Sequence, residues 1–117
     1  MQPFNFRVFK LVFLLVSFTT FTITANAQSN NTSKVATIIP HVGDQVFFRL
    51  TSSVQGLPAC ATTLAHPFRI DLSTESGQAM YAILLAASFN DKEVQVFGNG
   101  ECSGGTRENV RWIAVSP

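Results

Sequence analysis

Apolar and polar residues alternate most cleanly over Gln45–Thr51. Val46, Phe48 and Leu50 fall on one face and Phe47, Arg49 and Thr51 on the other, the two-residue period of a half-buried strand. The β-branched run Lys34–Ile39 precedes it across the turn Pro40-His41-Val42-Gly43-Asp44, so the two segments predict a hairpin. Ser52–Ala65 is rich in Ser, Gly, Pro and Thr and reads as a connecting loop carrying Cys60. A third strand is expected over Pro67–Leu72, with Phe68, Ile70 and Leu72 inward and Arg69 and Asp71 outward. A fourth follows at Glu93–Phe97 and a last at Val110–Val115, where alternation with Val110 and Ala114 puts Trp112 in the core.

The period changes between the third and fourth strands. Ser73-Thr74 offers a capping hydroxyl, Glu75 complements the positive helix end, and Gln78–Phe89 contains no proline, glycine or charge before Asn90-Asp91 ends it. At 100° per residue, Met80, Ile83, Leu84 and Ala87 form the stripe expected to pack on the strands. The far side carries Ala79, Tyr81, Ala82, Leu85, Ala86 and Phe89 where charge would be usual. A helix that is apolar all round is normally buried all round, and so small a chain cannot enclose it. The subunit interface of a homo-oligomer is therefore assigned to Tyr81, Ala82, Leu85, Ala86 and Phe89. The order strand-strand-strand-helix-strand-strand makes the fold mainly β with one helix, on the plan of a five-stranded OB-like barrel. A generic sheet with a helix packed across it is the alternative.

The chain begins with Arg7 and Lys10 ahead of the apolar run Leu11–Phe18, and Ala25-Asn26-Ala27 follows. That is the anatomy of a secretory signal peptide cleaved before Gln28. It divides the chain into a leader at 1–27, a polar tail at 28–34 expected to be disordered, and an OB-like domain at 35–117. The Asn30-Asn31-Thr32-Ser33 sequons fall in that tail and read as solvated residues. A secreted or periplasmic protein is expected, with no membrane contact after cleavage. Six basic and seven acidic side chains remain beyond residue 27, a net charge of −1 with no basic patch, which excludes nucleic acid as a partner. The 90 residues left when 27 of the 117 are removed make one small domain with a thin core. Cys60 and Cys102 are the only cysteines, and an oxidising compartment predicts a disulfide between them.

The stretch Ile70-Asp71-Leu72-Ser73-Thr74-Glu75-Ser76-Gly77-Gln78-Ala79-Met80-Tyr81, followed by Glu93-Val94-Gln95-Val96-Phe97-Gly98 and Cys102, resembles the binding subunits of bacterial one-A, five-B toxins, nearest the subtilase-cytotoxin type. The resemblance spans about residues 35–116. It implies an OB-fold, helices of several subunits lining a central pore, and host-glycan binding on the barrel surface, although no sugar-binding residue of that group matches a position here.

Little in the chain suggests catalysis. His41 and His66 lie beside prolines without partners at short spacing, no Gly-x-Ser-x-Gly elbow is present, and a triad from Asp71, either histidine and a serine is no more than any short chain permits. The Gly98–Gly105 stretch lacks the lysine of a phosphate loop and reads as a hairpin connection. No metal or other cofactor is expected, and the chain reads as non-enzymatic. Phe47, Arg49, Arg69 and Phe97 are the candidate ligand-binding residues, with Gln95 and Arg111 on the same outward positions, because an aromatic beside a planar donor suits a sugar or a protein contact. A monomeric, disulfide-held structural or inhibitor-like protein is the competing class.

Overall fold

The computed structural model describes residues 27–116, so the expected leader lies outside the described residues apart from Ala27. The elements are β1 (Asn30–His41), β2 (Gln45–Leu50), β3 (Phe68–Asp71), α1 (Glu75–Phe89), β4 (Glu93–Gly98) and β5 (Glu108–Val115). They follow the expected order. The five strands form one sheet that closes in a ring, β1-β2-β3-β5-β4 and back to β1. All neighbours are antiparallel except β3 and β5, which pair in parallel through Phe68–Glu108 and Arg69–Asn109.

The long strand β1 makes the closure. Its first half, Asn30–Lys34, pairs with β4, and its second half, Val35–His41, pairs with β2, with a register shift between Val35 and Thr37. The polar segment 28–34 is therefore not a disordered tail, because most of it belongs to this strand. Asn31 and Ser33 point inward and are buried, yet among the described residues no buried side-chain polar atom lacks a partner. Asn31 donates from Nδ2 to the Gln55 carbonyl (3.1 Å) and accepts the Gln55 N–H (2.9 Å), which occupies the nitrogen a glycan would need. Ser33 Oγ bonds Thr51 Oγ1 (2.7 Å) and accepts the Ser52 N–H (3.1 Å). A buried polar side chain is tolerated when its bonds are made.

The strand is also fastened by Glu108. This carboxylate is fully buried and accepts the Ser29 N–H (3.3 Å), the Ser29 hydroxyl and the Gly100 N–H (3.0 Å). Gly98 has to be glycine, since a Cβ there would lie 2.0 Å from the Glu108 carboxyl carbon. The start of β1, the end of β4 and the start of β5 thus meet on one acid.

Inside the ring, Val46, Phe48, Leu50, Phe68, Ile70, Val94, Val96, Val110 and Ile113 pack together, with Phe48 and Phe68 stacked at 5.1 Å. The inward positions expected for β2 and β3 hold at Val46, Phe48, Leu50, Phe68 and Ile70; Leu72 lies beyond β3 and is half-buried. The helix packs on this core through Leu84 and Ala87. Thr74 caps it, with Oγ1 accepting the Gly77 N–H at 3.0 Å. Gly77 lets α1 come hard against the end of β3: a Cβ there would sit 1.6 Å from the Asp71 carbonyl oxygen. That close approach rotates the helix from the expected stripe. Gly77, Leu84 and Ala87 are buried, Met80 and Tyr81 pack against the core, and Ile83 turns to solvent.

Candidate functional site

Three outward features gather the residues with binding chemistry. The first is the exposed side of α1. Phe89 is 85% exposed and Ile83 39%, and Ala79, Ala82 and Ala86 are exposed between them at helical spacing. Of the interface residues expected from the sequence, Ala82, Ala86 and Phe89 lie on this face. Tyr81 and Leu85 are half-buried, with Tyr81 packed on the core, so they are not its centre. Ile83 replaces them, because the Gly77 contact sets the helix rotation. A shallow apolar depression continues from Ile83 and Ala86 past Ala87 to Val115.

The second feature lies across β4 and β5. Phe97 and Trp112 are cross-strand partners, stacked in parallel planes (2°) with centroids 5.2 Å apart. Trp112 is 39% exposed, which corrects its expected core position. The reason is a bulge. Phe97 pairs with Trp112 while Gly98 pairs with Val110, so Arg111 is an extra residue that reverses the alternation and sends Ile113 inward instead. Gln95 flanks the pair and donates to Asn30 Oδ1 at 3.0 Å. Periodicity gives no signal for a bulge; the glycine at 98, opposite the slip, was the only cue.

The third feature is a pocket on the outer face of β2 and β3. The register sets Ile39, Phe47, Arg69 and Asn109 in one row across β1, β2, β3 and β5. Phe47 was expected at the surface but is buried, at 8% exposure. The segment Cys102–Arg107 folds over it, with the Arg107 guanidinium 3.8 Å from its ring centroid. His41 tilts against the same ring at 5.0 Å. Arg107 Nε donates to the His66 carbonyl (3.0 Å). Arg69 donates from Nε to Gln45 Oε1 (2.8 Å) and from Nη1 to Asn109 Oδ1 (3.0 Å). The covering segment is tied down by the Cys60–Cys102 disulfide, with a Cα–Cα distance of 6.1 Å.

The four candidate ligand residues therefore do not form one site. Phe47 and Arg69 meet in the pocket, where Arg107 joins them without having been singled out in the sequence. Phe97 belongs to the Trp112 platform. Arg49 is exposed and donates from Nε to Thr37 Oγ1 (3.3 Å). Among the described residues, no group of three or more His, Cys, Asp or Glu side chains could hold a metal ion, and neither histidine ring bonds a hydroxyl or a carboxylate. The Asp71 carboxyl is held below its ordinary value by the Ser73 hydroxyl (2.6 Å), then by the Ser73 N–H (2.9 Å), with Arg69 acting in the same direction. Lys34 is raised by its bond and ion pair with Asp91 at 2.8 Å. No helix among the described residues is long and apolar enough to cross a membrane. Comparisons of the chain with protein-family models, curated proteins and solved structures find no match.

Proposed function

We propose that the chain is an exported, non-enzymatic binding module with an OB-fold that self-associates through the outer side of α1 and takes a glycan or protein ligand on its strand surface. The OB assignment is supported by the ring order, the parallel β3–β5 pairing and a helix between the third and fourth strands. Export is supported by the leader pattern and the Cys60–Cys102 bond. The resemblance to toxin binding subunits points the same way, and a fold alone does not fix a ligand.

The observation that carries the reading is the apolar row Ala79, Ala82, Ile83, Ala86 and Phe89, left exposed on a helix with no charge after Glu75. A second copy of the chain is the occupant, because three of the five side chains are alanines that let a like helix approach closely and Ile83 and Phe89 fill the gaps. The Phe97–Trp112 pair supplies the ligand surface, as a flat aromatic face with an amide beside it suits sugar stacking. A monomeric structural or inhibitor-like protein is the second reading, favoured by Tyr81 turning onto its own core. Mass spectrometry and light scattering on protein expressed with its own leader test the first. A product starting at Gln28 and larger than one chain is expected, with glycan-array binding that Trp112→Ala abolishes. An uncleaved or strictly monomeric product overturns export or assembly respectively.

A further inference from the structure

The pocket between β2, β3 and the Cys102–Arg107 segment holds two guanidinium groups and no carboxylate bonded to either. Each is fixed by oxygens that carry no formal charge: Arg107 by the His66 carbonyl, Arg69 by the side chains of Gln45 and Asn109. The side-chain ion pair among the described residues is Lys34–Asp91, on another part of the surface. The nearest acid along the strand is Asp71, which is bonded by Ser73 and attracts Arg69 without a bond to it. Both arginines are half-buried and line the same pocket as Gln45, Phe47 and residues 102–106. Phe47 and the three bonds hold the planar forks in place, which removes the entropy a ligand would otherwise have to freeze out.

We infer that this pocket binds an oxyanion group (a carboxylate, sulfate ester or phosphate ester) carried by a larger ligand, with Arg69 and Arg107 as its two donors. Guanidinium forks match such groups bidentately, and the half-buried position limits screening by water. Residues Cys102–Thr106 line one side, so the Cys60–Cys102 bond holds the site's shape. The site lies on different strands from the Phe97–Trp112 platform and does not depend on self-association.

The test is amide NMR mapping of the oxidised protein, expressed with its own leader, titrated with sodium sulfate, phosphate or acetate against chloride at constant ionic strength. Saturable shifts are expected at Gln45, Phe47, Arg69 and residues 102–107. Stronger binding of acetate assigns a carboxylate source; stronger binding of sulfate or phosphate assigns an ester. Arg69→Gln and Arg107→Gln should each weaken binding about tenfold or more, because a lost charged bond is worth about that factor. Arg69→Lys should fall between them and the wild type. Reducing the disulfide should weaken binding while the Phe97 and Trp112 signals stay in place. Trp112 fluorescence and the urea midpoint verify that each variant is folded. Unsaturable shifts for all three anions, or unchanged affinity in a folded Arg69→Gln/Arg107→Gln double variant, overturns the inference.

Discussion

Replacing Glu108 probes the joint on which ring closure depends. Its carboxylate satisfies two backbone N–H groups, of Ser29 and Gly100, and one hydroxyl, all of them buried. In Glu108→Ala both N–H groups lose their acceptor. Each orphaned donor costs about 1–3 kcal/mol, and the charged bonds that offset burial are gone as well, so a loss of about 4 kcal/mol is expected. Glu108→Gln behaves differently. Its amide oxygen can accept both N–H groups, and its NH₂ can face Ser29 Oγ, which rotates to accept. Only the charge assistance is lost, about 1 kcal/mol. The assay is equilibrium urea unfolding followed by the single tryptophan, Trp112. With a slope of about 1 kcal/mol per M for a domain of this size, the Ala variant drops the midpoint by about 4 M and the Gln variant by about 1 M. A double-mutant cycle with Ser29→Ala identifies the partner: the cost of losing the Ser29 hydroxyl should nearly vanish once Glu108 is Ala. An Ala variant within about 1 kcal/mol of wild type, or one more stable than the Gln variant, refutes the reasoning.

Gly77→Ala sets a helix-propensity gain of about 1 kcal/mol against a Cβ 1.6 Å from the Asp71 carbonyl oxygen; the clash should win, with a net loss of about 2 kcal/mol in urea unfolding, and a stabilised variant would contradict the packing described. Replacing Cys60 and Cys102 together by serine opens a loop with a sequence separation of 42, and chain entropy sets the loss at about 4 kcal/mol as an upper figure; denaturation midpoints with and without reductant should agree in that variant alone. Because folding lowers the Asp71 titration, its contribution to stability is present above the ordinary aspartate range and fades as pH falls through the folded value. Ser73→Ala should move that carboxyl back up in an NMR titration, and an unmoved midpoint would show that the Ser73 hydroxyl is not the cause.

The succession of elements, the helix and the disulfide are readable because each leaves a local mark: alternation at Val46-Phe48-Leu50, a capping Thr74, and two cysteines behind a leader-like start. What escaped was set by non-local contacts. The first half of β1 buries Asn31 and Ser33 rather than apolar residues, so burial there is paid in hydrogen bonds that no hydropathy pattern records. Trp112 faces outward because of an extra residue at Arg111. Phe47 is covered because a segment some 55 residues later in the chain folds back over it and brings Arg107 onto its ring. The apolar character of the helix on all sides is plain in its residues, but its rotation depends on how closely Gly77 approaches Asp71.

Sedimentation velocity on the purified protein and on Ile83→Glu tests self-association through α1 most directly. Ile83 is partly exposed within one chain, so the charge should leave the urea midpoint nearly unchanged, as surface substitutions do. The wild type is expected to sediment as an assembly of two or more chains at micromolar concentration and the variant as a single chain. A wild type that stays a single chain up to about 100 µM, where even weak specific association would be visible, would contradict the account.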